Sequence, residues 1–221
     1  MRGPVLICGC PGSGTSFVTK VLRYAGMFSG ADSGPLDARK FHESKSFRDA
    51  NKRFLIETTG ISYSPKGVLQ FAEHVDRVRK QLKQLVQLVD KTELLKTYWG
   101  KYPVAGVWGW KDPRNSANSI IWREIFPDLR VLTIRRRWEK KMRRQKTGSV
   151  AGEWFRHESS TNLREMYTHP PGVEGLESHV VDFDRLLTES TELETLLQWM
   201  GLSTGPARRF LTFLSEVGVE K

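Results

Sequence analysis

The feature that most constrains this chain lies near its start. A short apolar run, Pro4-Val5-Leu6-Ile7-Cys8, passes directly into Gly9-Cys10-Pro11-Gly12-Ser13-Gly14, and apolar residues then return at helical spacing in Phe17, Val18, Val21 and Leu22. A buried strand, a glycine-rich turn and a helix in that order suit an α/β fold. The turn has a chemical use as well. Successive backbone N–H groups can be aimed at one anion, and the positive end of the helix dipole favours negative charge there. Glycine admits the backbone angles that such a turn needs and lets phosphate oxygens approach closely. Residues 4–26 are therefore read as a strand, loop and helix that cradle the phosphates of a nucleotide. The simpler reading is a glycine-rich β–α turn with no ligand.

The spacing from Gly9 to Ser16 is that of G-x-x-x-x-G-K-[ST], with Thr15 standing in the lysine position. An ordinary ATPase or GTPase uses that lysine on the β- and γ-phosphates, so Thr15 turns the loop away from nucleoside triphosphates. Ser13, Thr15 and Ser16 place hydroxyl donors around it.

The rest of the chain alternates strand and helix signals. Val104–Trp110, Arg130–Ile134 and His179–Phe183 read as further buried strands. Helices are expected at 46–58, from Pro65 to about 98, at 116–126, over the basic segment 135–146, and at 153–167, 190–200 and 206–216. This predicts a three-layer P-loop NTPase-like α/β domain, its mostly parallel central sheet flanked by helices, with residues 1–221 as one domain. Long apolar runs of the ~18 residues that a membrane span needs are absent from the sequence. The two cysteines, Cys8 and Cys10, alternate on one run and read as small buried residues rather than a zinc site or a disulfide. A cytoplasmic protein without disulfides is expected.

Net charge is +10, from 35 Lys plus Arg against 25 Asp plus Glu. Such an excess favours polyanionic partners. Between 135 and 144 it concentrates into Arg135, Arg136, Arg137, Lys140, Lys141, Arg143 and Arg144. Nothing in the sequence matches a nucleic-acid-binding motif, so nucleic acid is not the expected partner.

Several segments, in order, resemble the sulfotransferase family, which shares the P-loop architecture without the lysine. Ile7–Ser16 is similar to its C-P-[RK]-S-G-T-S loop, which binds the 5′-phosphosulfate. Lys40-Phe41-His42-Glu43 with Phe47 and Asn51 resembles the G-x-F-E…N segment of bacterial members. Trp108-Gly109-Trp110-Lys111-Asp112-Pro113-Arg114, then Trp122, Phe126 and Pro127, resembles their W-G-x-K-D-P-R…W…F-P run. Leu132-Thr133-Ile134-Arg135 matches the strand and arginine that bind the 3′-phosphate, and Val180–Leu186 with Met200-Gly201-Leu202 resembles the C-terminal element.

The resemblance implies transfer of a sulfuryl group from 3′-phosphoadenosine-5′-phosphosulfate to a hydroxyl or amine. It places the donor on Pro11, Gly12, Ser13, Gly14, Thr15, Ser16, Arg135 and Arg143, with no metal. Two positions depart from the family: Gly12 replaces the basic loop residue, and Arg143 stands where a serine often binds the 3′-phosphate. Lys111 is then the cation expected to face the transferred group, in place of a surface pair with Asp112. Glu43 is the first choice of general base, with Asp112 and His42 as competitors. Arg136, Lys140 and Lys141 are expected on a solvated basic face, although an acidic acceptor would also suit that charge. One of Trp108, Trp110, Trp122 and Trp154 is a candidate to stack on adenine, and the acceptor pocket is expected around 65–98 and 147–178. The rival readings are a P-loop kinase for a small molecule and a catalytically degenerate binder of nucleotides or polyanions.

Overall fold

The computed structural model describes residues 3–10, 12–35, 42–60, 71–102, 106–137 and 167–216. Four strands form one all-parallel sheet: β1 (Val5–Gly9), β2 (Gly109–Lys111), β3 (Arg130–Arg135) and β4 (Ser178–Asp182). Their spatial order is β2-β1-β3-β4. Registers fix the edge that matters: Ile7 lies beside Lys111, Gly9 beside Ile134, and Arg135 beside Asp182. β1, β2 and β3, buried on both faces, need a helical layer on each side, while the edge strand β4 is exposed or half-buried except at Val181.

On one side α1 (Thr15–Tyr24), α7 (Ser190–Met200) and α8 (Thr204–Glu216) cover Val5, Ile7, Leu132, Ile134 and Val181. The short α6 (Phe183–Leu186) belongs to the same layer. On the other side α2 (Lys45–Thr59), α3 (Phe71–Gln87), α4 (Lys91–Trp99) and α5 (Asn115–Ile125) pack on Leu6, Cys8 and Val131. The expected three-layer α/β class is what the chain forms. The expected boundaries of α2, α5, α7 and α8 hold to within two residues.

Four local expectations change. The second strand, expected over Val104–Trp110, forms among the described residues only at Gly109–Lys111, with Trp108 in an isolated bridge to Phe28. The long helix up to residue 98 is interrupted at 88–90, where the Asp90 carboxylate accepts from the N–H groups of Thr92 and Glu93 and so starts α4 afresh. The basic segment does not begin as a helix: Arg135 ends β3, and Arg136 and Arg137 follow it as irregular chain. Phe183, expected in the fourth strand, opens α6 instead, behind an Asp182 cap that accepts from Asp184 and Arg185 N–H. The helix expected at 153–167 lies almost wholly outside the described residues, as does the remainder of 138–146.

A buried polar knot joins the second layer to the sheet. The Asn51 amide donates to Asn115 Oδ1 at 2.9 Å, while its own Oδ1 accepts from Trp122 Nε1 at 2.9 Å and Asn118 Nδ2 at 2.8 Å. Asn115 in turn donates to the carbonyls of Ile7 and Trp110. All three asparagines are fully buried. Asn51→Ala is expected to cost about 3 kcal/mol, since it strands several buried groups at once. Urea unfolding checks this; a loss under about 1 kcal/mol would show that the knot carries no such weight.

Candidate functional site

Chain order and spatial order disagree in a useful way. From β1 the chain goes to β2 on one side, then crosses to β3 on the other side. In open parallel sheets such a reversal leaves a crevice beyond the carboxyl ends of the strands, here between β1 and β3. Gly9 and Arg135 end these two neighbouring strands, and Lys111 ends the strand on the other side of β1.

The loop beyond β1 is shaped for that crevice. Gly14 precedes α1 with φ of +94° and supplies no side-chain cap, so the N–H groups of the first helical turn lack an acceptor within the helix. Ser13 N–H bonds back to the Cys10 carbonyl at 2.9 Å and tightens the turn. The Ser13 hydroxyl is fully buried and unpartnered, 2.9 Å from where a Cβ on Gly9 would sit. A buried hydroxyl without a partner is costly, and a bound anion would relieve it. Thr15 is buried and Ser16 half-buried at the head of α1. Gly12 has φ of +82°, and a Cβ there would meet nothing within 4 Å, so this position of the loop opens to free space. Pro11 lies outside the described residues.

Glu43 and Lys111, far apart in sequence, meet here. Lys111 Nζ donates to Glu43 Oε1 at 2.7 Å, and both side chains are under one-tenth exposed. The expected alternative, Lys111 with Asp112 on the surface, does not occur. Asp112 instead takes Arg114, whose guanidinium donates to both carboxylate oxygens at 2.8 and 3.0 Å in a buried pair. His42, the other candidate base, is buried with Nδ1 2.7 Å from an Arg23 guanidinium nitrogen, and that same nitrogen donates to the Gly34 carbonyl.

Burial pushes the Asp112 carboxyl up to about 6, opposed by Arg114 and reinforced by the nearby Glu43 charge. The folded group thus holds its proton to higher pH than the unfolded one, which releases it near 3.8. Its contribution to stability is complete below about pH 4 and is lost as pH rises through about 6. The unfolding free energy of the wild type, taken relative to Asp112→Asn, is therefore expected to fall across that window. A difference constant between pH 4 and 7 would contradict the assignment.

The arginines of the basic run take different roles. One Arg135 guanidinium nitrogen donates to the Thr168 carbonyl at 2.8 Å and lies 3.2 Å from His169 Nε2, while its Nε is buried without a partner. Arg136, expected on a solvated face, is instead buried: its Nε lies 3.5 Å from Asp184 Oδ1 and its guanidinium 4.9 Å from the centre of the Phe183 ring. That ring also backs the glycine loop at Gly14, so Arg136 braces the loop from behind. Arg143, Lys140 and Lys141 lie outside the described residues.

Trp108, Trp110 and Trp122 are core residues, packed with Phe47 and Phe126 in one aromatic cluster, which removes them as adenine platforms. Trp154 lies outside the described residues. Sequence reasoning gave Arg114 no role beyond its place in the Lys111–Arg114 run and passed over Asn115 and Asn118, which lie in the first turn of α5. A cavity of about 290 Å³ between α2 and α4, lined by Asp49, Arg53, Asp90 and Glu93 among others, contains none of the nominated residues. Among the described residues no group of His, Cys, Asp and Glu could hold a metal, and no helix is long and apolar enough to cross a membrane. No known family model matches the chain, and no curated protein matches it. The functional reading therefore rests on the residues themselves.

Proposed function

We propose that the chain is a cytoplasmic sulfotransferase that moves the sulfuryl group of 3′-phosphoadenosine-5′-phosphosulfate to a hydroxyl or amine acceptor. The observation that carries this reading is a juxtaposition: a lysine-free glycine loop opening α1, Arg135 at the end of the adjoining strand, and Lys111 with Glu43 beside them on the same sheet edge.

In this reading the 5′-phosphosulfate sits against the N–H groups at the head of α1 and the hydroxyls of Ser13, Thr15 and Ser16. Arg135, with Nε unused, takes the 3′-phosphate, and Arg143 is proposed beside it. The acceptor oxygen attacks sulfur while the bond from sulfur to the bridging phosphate oxygen breaks. Glu43 takes the acceptor proton, and Lys111 neutralises the charge left on the 5′-phosphate. Asp112 holds Arg114 at the turn that follows Lys111 and so supports the lysine from its own strand end. Alignment and charge stabilisation are the main work asked of the protein.

Calorimetry tests the donor. The chain is expected to bind 3′,5′-adenosine bisphosphate and to prefer it to magnesium-ATP. Magnesium-ATP binding without affinity for the bisphosphate would replace this reading with a kinase. A second reading, a degenerate binder, is favoured by the open position at Gly12 and by the tie between Lys111 and Glu43. Bisphosphate binding with no transfer from labelled donor to a broad acceptor panel would select it.

A further inference from the structure

The two groups given opposite tasks in the proposed reaction neutralise each other in the free protein. Glu43 Oε1 and Lys111 Nζ are 2.7 Å apart, with side chains 9% and 7% exposed. In that contact the carboxylate oxygen that would meet an acceptor and the ammonium that would meet a phosphate are occupied by each other. The neighbouring charges do not release either one, because Asp112 and Arg114 are already closed on each other. A phosphate brought to Lys111 would also face the Glu43 carboxylate in a site largely shielded from water, where like charges repel strongly.

We propose that Glu43 and Lys111 form an exchange pair: the donor's 5′-phosphate displaces Glu43 from Lys111, and only the displaced carboxylate acts as base. This inference rests on the sulfotransferase reading and adds its order of events. The donor loads first, since before it the proton acceptor is occupied. On transfer, the sulfur–oxygen bond to the phosphate breaks, the sulfur–oxygen bond to the acceptor forms, and the acceptor proton goes to Glu43. Lys111 keeps the 5′-phosphate as counter-ion, so the pair re-forms only when the bisphosphate leaves.

The test is a four-protein calorimetric cycle on the full chain with 3′,5′-adenosine bisphosphate: wild type, Glu43→Gln, Lys111→Gln and the double variant. If the pair must open, Glu43→Gln binds about tenfold more tightly than wild type, and the same change in the Lys111→Gln background gives less than about threefold. Equal effects in both backgrounds would mean simple repulsion of the anion by Glu43 and would overturn the exchange. So would unchanged or weaker binding by Glu43→Gln, which would mean that Lys111 holds carboxylate and phosphate together. Failure of all four proteins, wild type included, to bind the bisphosphate would sink the donor reading itself and the exchange with it. Should a lysine variant not fold, infrared spectra of wild type with isotope-labelled glutamate decide the matter. A carboxylate band that shifts at saturating bisphosphate and is missing from Glu43→Gln supports the exchange, and no shift refutes it.

Discussion

Gly14→Ala is expected to lose about 3 kcal/mol or more of stability and to abolish binding of 3′,5′-adenosine bisphosphate. Two effects combine. At φ of +94° an L residue is strained, and a Cβ there would fall 2.2–2.6 Å from the Phe183 ring. Phe183 cannot yield freely, because its ring also packs edge-on against Phe17 and lies beneath Arg136. The loop would have to lift off, and with it the N–H groups at the head of α1. Gly12→Ala is the matched control. It meets the same kind of backbone strain at φ of +82° but no neighbouring atom, so about 1 kcal/mol is expected. Equal midpoints for the two variants in urea would show that the Phe183 contact does not shape the loop.

Lys111→Met carries the second large effect. Removing one partner of a buried ion pair leaves the other charged and unsolvated, which costs about 3–5 kcal/mol. Glu43 is the group left behind, with Oε1 stripped of its 2.7 Å donor. Removing both charges together is much milder, so the double variant Glu43→Gln, Lys111→Met is expected to recover most of the loss. Urea unfolding of wild type, both single variants and the double variant measures the coupling. Additive losses would mean that the two side chains do not depend on each other.

What could be read from the sequence follows from the distance over which each signal acts. The strand–loop–helix at the start was legible because its parts are contiguous: an apolar run, spaced glycines, then apolar residues at helical intervals. The break between α3 and α4 was also legible in principle. Asp90-Lys91-Thr92-Glu93 carries the D-x-x-E signature of a helix start, but the apolar stripe that continues through Val89 masked it. Arg136 shows the opposite case. A run of like charges reads as a solvated face, yet Asp184 in α6 neutralises this member and Phe183 covers it, and neither partner is close in sequence. The same holds for the candidate site. Glu43, Lys111 and Asp112 were nominated separately, but that Lys111 would choose Glu43 and leave Asp112 to Arg114 depends on the fold bringing residue 43 to the end of β2. Tryptophan placement failed for a related reason. An indole beside a predicted strand end suits a ligand wall or a core equally, and only the packing of α2 and α5 makes Trp110 and Trp122 core.

A crystal structure of the chain with 3′,5′-adenosine bisphosphate tests the central claim most directly. The account predicts the 5′-phosphate on the N–H groups at the head of α1 within reach of Ser13 Oγ, the 3′-phosphate on Arg135, and Lys111 turned from Glu43 toward the 5′-phosphate. A bisphosphate bound away from the Gly9–Ser16 loop, or a loop left empty at saturating concentration, would contradict it.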